Sequence, residues 1–126
     1  MTLHASLVVP DRELWSGEAQ IVIAKTTEGD IGVLAGHAPV FGVLAEGSVV
    51  EIHTGDAEIR AAVSGGFLSV ADDRVSILAA QAQLSGEVDQ DEARRELDSA
   101  EAAPGGEEPA EAKYAKARLR AAGGQA

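Results

Sequence analysis

The chain has no cysteine, only four aromatic residues among 126, and no long apolar run. Each absence excludes something. Without cysteine there are no disulfide scaffolds, thiolate zinc sites or thiol nucleophiles. No stretch approaches the roughly 20 apolar residues that a membrane-spanning helix needs. Basic residues are scarce as well, with 10 lysines and arginines against 21 acids for a formal charge of −11. So acidic a surface repels phosphate backbones and argues against nucleic-acid binding. Met1 to Pro10 carries neither a basic leader nor a sustained apolar segment. Neither a secretory signal nor a transit peptide is therefore expected, and the default is a soluble intracellular protein.

Composition changes abruptly near Gly86. Residues 1–86 hold ten of the fourteen glycines and three of the four aromatics, Trp15, Phe41 and Phe67. Residues 87–126 offer only Val88, Leu97 and Leu119 as large aliphatics, with eleven alanines and sixteen charged residues among forty. The second part cannot build a core alone. An α+β chain of two parts is expected, with a core-forming domain over 1–86 and an arm over 87–126.

In the first part the apolar period is two, which places alternate side chains on one face of a strand. Leu3, Ala5, Leu7 and Val9 alternate with His4, Ser6 and Val8, and Ala19, Ile21 and Ile23 share a face after an apparent break at Gly17. Turn residues follow at Thr26–Asp30, Gly36–Pro39, Glu46–Ser48, Gly55-Asp56, Gly65-Gly66 and Asp72-Asp73. Short strands separated every eight to twelve positions by such residues signal an antiparallel sandwich or barrel. About ten strands are expected.

The second part changes period. Asp89 with Glu92 reads as a capping pair, since both ends of such a pair satisfy free amide donors of a first helical turn. Ala93, Leu97 and Ala100 then fall on one helical stripe. Pro104-Gly105-Gly106 should end that helix, and a second should run from about Pro109 to Ala122. Its acids Glu107, Glu108 and Glu111 precede its bases Lys113, Lys116, Arg118 and Arg120, a polarity that suits the helix macrodipole. Ala112, Ala115, Leu119 and Ala122 give it a narrow face of small residues. This α-helical hairpin buries little, because a buried leucine contributes only about 1.5–3 kcal/mol while ordering each residue costs roughly 1–2 kcal/mol. It should depend on docking, and detachment should be cheap.

Chemistry is hard to find in this sequence. His4, His37 and His53 fall on different elements without ligand spacing, so no metal site is expected. Asp72-Asp73 reads as a hairpin tip rather than a catalytic pair, because an exposed turn does not separate two carboxylate pKa values. Gly65-Gly66 lacks a following Gly-Lys-Ser/Thr and reads as a bulge or a close backbone approach. The basic run of the second helix reads equally as a solvated face or as a dock for an acidic partner surface.

The order of motifs is nonetheless distinctive. Glu-Leu-Trp-Ser-Gly (13–17), Glu-Gly-Asp-Ile-Gly-Val-Leu-Ala-Gly-His-Ala-Pro (28–39), Ser-Gly-Gly-Phe-Leu-Ser-Val (64–70), Val-Ser-Ile-Leu-Ala (75–79) and an acidic Asp-x-x-x-Ala-Arg helix closely resemble the epsilon subunit of F-type ATP synthase. The resemblance covers residues 3 to about 100. It implies a ten-stranded β-sandwich followed by a helical hairpin, in a non-catalytic subunit of the central rotor stalk that binds the gamma subunit and the c-ring at the cytoplasmic face of the cell membrane. It also implies that Glu28, Asp30 and His37 face the c-ring. The hairpin is implied to swing out along gamma and inhibit ATP hydrolysis, with Lys113, Lys116, Arg118 and Arg120 meeting acidic parts of the alpha and beta catalytic subunits. Some members of the family bind ATP through an Ile/Leu-Asp-x-x-Arg-Ala motif. Gln90 to Arg95 matches it at Asp91 and Arg94 but not at the aliphatic or the final alanine, which leaves Asp91 and Arg94 as the candidate nucleotide contacts; no resident cofactor is expected. The competing expectations are a free-standing β-sandwich binding module with a helical tail, and an enzyme using Asp72, Asp73 or His37.

Overall fold

The computed structural model describes residues 2–101 and 108–123. The turn expected at Pro104-Gly105-Gly106, and Glu107, lie outside the described residues. Ten strands come first: β1 (Leu3–Val9), β2 (Arg12–Ala19), β3 (Ile21–Thr26), β4 (Gly29–Leu34), β5 (Val40–Leu44), β6 (Ser48–His53), β7 (Glu58–Val63), β8 (Gly66–Ala71), β9 (Arg74–Ala79) and β10 (Ala82–Leu84). A 3-10 turn at Ser85–Glu87 leads to α1 (Gln90–Glu101) and then α2 (Ala110–Ala121).

The strands follow one hydrogen-bonded path, β10-β7-β6-β3-β5-β8-β9-β1-β2, with β4 on the free side of β3. The path folds over where β3 meets β5, through the single pair Thr26–Leu44. One layer therefore contains β10, β7, β6, β3 and β4, and the other β5, β8, β9, β1 and β2. Their inner faces share a core in which Val22, Val33, Val50 and Ile52 of the first layer meet Leu7, Leu44, Leu68 and Ile77 of the second. This is the expected sandwich. One pairing departs from the antiparallel expectation, since β1 runs parallel to β9. A parallel pair needs a long crossover, and here the whole of β2 to β8 provides it.

Gly17 does not separate two strands. It lies within β2 opposite Ala5, where a Cβ would stand 3.2 Å from the Trp15 ring, so it makes room for the indole laid along the strand. Asp72 and Asp73, at φ 51° and 58°, form the tip of the β8–β9 hairpin in the geometry that favours a two-residue turn. Gly66 is the close approach that its pair suggested: at φ +147°, a Cβ would overlap the Leu78 carbonyl oxygen.

The helical arm follows its local signals. The Glu92 amide donates to Asp89 Oδ1 at 3.0 Å, capping α1 as expected. Pro109 is the N-cap of α2 rather than part of its first turn. Ala93 and Leu97 of α1 pack against Ala112, Ala115 and Leu119 of α2. The adjacent face of α2 lies on the outer side of the first layer, where Ala117 and Ala121 bury Ala62 with Val49 and Tyr114 beside them. The arm is thus docked along β6 and β7. None of the described helices is long and apolar enough to cross a membrane.

Candidate functional site

Two surfaces stand out from the ordinary solvated exterior. The first is an apolar strip on the outer face of the second layer. In β5 the inner positions are Val40, Gly42 and Leu44, which leaves Phe41 and Val43 pointing outward, 67% and 45% exposed. Register then aligns Val43 with Phe67, and Phe67 with Leu78, and these two are 47% and 52% exposed. The Phe41 and Phe67 rings stack with centroids 5.5 Å apart. A continuous apolar rung across three strands marks an interaction surface far better than scattered exposed leucines do. Periodicity in the sequence alone does not pick it out. Its signal was present in Val-Phe-Gly-Val-Leu and Gly-Phe-Leu, where bulky apolar residues occupy both phases of a strand that has only one core face.

The second surface is the seat of the arm. All four cations of α2 have partners within the chain. Lys113 Nζ lies 3.7 Å from Glu46 Oε2, and Lys116 Nζ lies 2.5 Å from Glu108 Oε2. Arg120 Nη2 donates to the Gly47 carbonyl oxygen at 3.0 Å. Arg118 is only 3% exposed. Its guanidinium bonds Glu96, lies 3.7 Å from Glu92 Oε1, and sits 5.1 Å from the centre of the Tyr114 ring. The solvated-face expectation is therefore corrected: in the docked position Arg118 holds α2 to α1, Lys113 and Arg120 hold it to the sandwich, and Lys116 pairs with Glu108 just ahead of the helix. Gly47 fits the seat because it has no side chain. At φ +61°, a Cβ on it would overlap the backbone of Lys113.

Tyr114, at the centre of this seat, has its phenol pushed above the ordinary value of 10.0 by burial, with Arg118 opposing the shift and Glu96 and Glu87 adding to it. A phenol whose pKa is raised on folding stabilises the folded state fully below the unfolded value, and that contribution is lost as pH rises through the folded value. Tyr114 is the sole tyrosine, so tyrosinate absorbance reads it directly. Its titration midpoint is expected above 10 in the native chain and near 10 in denaturant.

The other sequence-derived residues are placed as follows. Glu28 lies at the exposed tip of the β3–β4 hairpin and Asp30 two residues on, paired with Lys25. His37 follows the opposite end of β4, where its Nδ1 hydrogen-bonds the Ala38 carbonyl oxygen at 2.7 Å. The six residues of β4, about 20 Å at the usual rise, separate Glu28 from His37, with Asp30 near the Glu28 end. His37 has the turn-binding role of an ordinary loop histidine. The Gly36 amide beside it donates to Asp73 Oδ1 at 2.7 Å. Asp91 and Arg94 are exposed on α1 and do not line the groove of about 840 Å³ between the arm and β10. That groove presents Asp11, Glu92, Glu96 and Glu111 against Arg12 and Arg118, an acidic balance that opposes a triphosphate. Asp72 and Asp73 occupy a solvated turn, with no second catalytic group placed beside them among the described residues.

Comparison with known proteins gives a consistent result. The profile of the ATP synthase delta/epsilon chain β-sandwich domain matches residues 2–85. The ATP synthase epsilon chain of Streptomyces coelicolor is 51% identical over 124 residues, covering 98% of this chain and 97% of its own length. That of Thermobifida fusca is 52% identical, covering 95% of this chain and 91% of its own. Among solved structures, a chain of the Euglena gracilis mitochondrial ATP synthase OSCP/F1/c-ring assembly has the same fold, with a TM-score of 0.75 at 23% identity over 97% of this chain and 79% of that one.

Proposed function

Because the chain belongs to the ATP synthase epsilon chain family, we propose that it is the non-catalytic subunit of the central rotor stalk, coupling proton-driven c-ring rotation to ATP synthesis in the catalytic head. The observation that carries this reading is the strip formed by Phe41, Val43, Phe67 and Leu78. A rotor component must transmit torque through a stable non-covalent contact, and stacked aromatics on a rigid sheet provide apolar area at little conformational cost. The strip is assigned to the gamma subunit. The acidic tip at Glu28 and Asp30 is assigned to the polar loops of the c-ring. His37, at the far end of β4, is left outside that contact. The chain then works as a peripheral subunit at the cytoplasmic face of the membrane.

Burying a phenylalanine contributes roughly 1.5–3 kcal/mol. The double variant Phe41→Ser/Phe67→Ser is therefore expected to weaken association with gamma by about a hundredfold or more. The isolated chain should keep its melting temperature, since both rings are already exposed. Co-purification of the variant with the central stalk measures the effect, and undiminished co-purification would overturn the assignment.

The arm is proposed as the inhibitory element. In its docked position Lys113, Arg118 and Arg120 are occupied by Glu46, by Glu92 and Glu96, and by Gly47. Contact with the alpha and beta subunits requires those interactions to exchange for new ones.

A further inference from the structure

We propose that Glu51, His53 and Glu58 form a binding site for a divalent cation of the zinc class on the outer face of the β6–β7 hairpin. Sequence spacing alone does not indicate it, because the third donor comes from the neighbouring strand. Glu51 and His53 are two apart on β6 and so share a face. Register then places Glu58 of β7 directly across from His53. One donor atom from each of the three side chains falls within 4.8 Å of the other two.

The donor set and spacing suit a small borderline cation. His53 Nε2 and Glu51 Oε1 are 3.1 Å apart, close to the roughly 3.3–3.4 Å that separates two ligands at tetrahedral bond lengths of about 2.0–2.1 Å. Bringing in Glu58 needs only side-chain rotation, because the strand ladder holds the backbone. Two carboxylates neutralise the dication, and the imidazole selects zinc, nickel or cobalt over magnesium or calcium. The three side chains are half-buried to half-exposed, so an ion could enter from solvent and keep water in its fourth position. Nearby, Arg60 lies opposite Glu51 in register, with Nε 3.9 Å from Glu58 Oε1. This guanidinium competes for Glu58 and sets an upper limit on affinity. A bound cation would staple β6 to β7 beside their connecting turn at Thr54–Ala57.

Calorimetric titration of the full chain with zinc ions near pH 7.5, in a buffer that does not chelate, tests the site. One cation per chain is expected to bind in the micromolar range. His53→Ala and Glu58→Gln should each weaken binding by about tenfold or more, and Arg60→Met should tighten it. Zinc should also raise the melting temperature of the native chain, but not that of His53→Ala. Absence of one-site binding, or binding that His53→Ala leaves unchanged, would overturn the proposal and would identify Glu51–His53 as a hydrogen-bonded pair only.

Discussion

Replacing Gly47 with alanine is expected to unseat the arm while the sandwich stays folded. Two separate costs arise. The first is backbone strain at φ +61°, about 1–2 kcal/mol for an L-residue, which is present whether or not the arm is docked. The second is overlap of the new Cβ with the Lys113 backbone, which exists only in the docked state. No rotamer change relieves a clash between two backbones. The helix must lift or the 46–48 turn must move. The helix should yield, because its apolar contact with the sandwich is small, Ala117 and Ala121 on Ala62 with Val49 and Tyr114 beside them, while the turn is tied by the Gly47 amide to the Ser64 carbonyl oxygen and by Ser48 Oγ to the Ala45 carbonyl oxygen. Amide exchange in α2 should accelerate at least about tenfold, and the Tyr114 midpoint should fall toward its ordinary value. Gly36→Ala supplies the control. It has φ +86° with open space around it, so it carries the strain without the overlap and should leave the arm docked. In the assembled complex, the Gly47 variant should inhibit ATP hydrolysis more strongly than the native chain, whereas truncation after Ala103 should abolish inhibition. Unchanged exchange in α2 would reject Gly47 as the seat.

The second large effect concerns Arg118, where the order of two variants is the test. Arg118→Met retains an apolar stem on Tyr114 and frees Glu92 and Glu96, which are about half exposed and regain water. A cost of about 1–2 kcal/mol follows, since partly solvated carboxylates lose little when unpaired. Glu92→Gln with Glu96→Gln instead leaves a guanidinium that is 3% exposed with neither of its carboxylates. Removing the partners of a buried charge costs about 3–5 kcal/mol, more than an alanine-rich hairpin can lose. All the α-helix of the described residues lies in α1 and α2, so ellipticity at 222 nm reports the arm directly. The double glutamine variant should lose most of that signal and Arg118→Met only part of it. The reverse order would show that the packing of the Arg118 stem, rather than its charge, holds the hairpin.

These residues also mark the limit of sequence reasoning. The Asp89 cap was legible because donor and acceptor are three residues apart. Gly66 was legible as a close approach, although its neighbour at Leu78 was not. Gly17 resembles a turn glycine because polar residues flank it, and only the position of the Trp15 ring distinguishes it. The cations of α2 were visible, but Glu46, Gly47 and Glu108 as their partners were not, because docking of the arm brings two of those three from the sandwich.

By itself, the sequence determined the period-two strands, their turn residues, the helical hairpin and the poverty of its core. These depend on side-chain alternation and on contacts within a few residues. The tertiary structure decided which apolar phase of β5 and β8 remained uncovered, that Glu28 and His37 lie at opposite ends of β4, that Glu58 stands across from His53, and that Arg118 is buried. Each of these depends on long-range register or docking. A periodic pattern specifies that two faces differ, but not what covers either one.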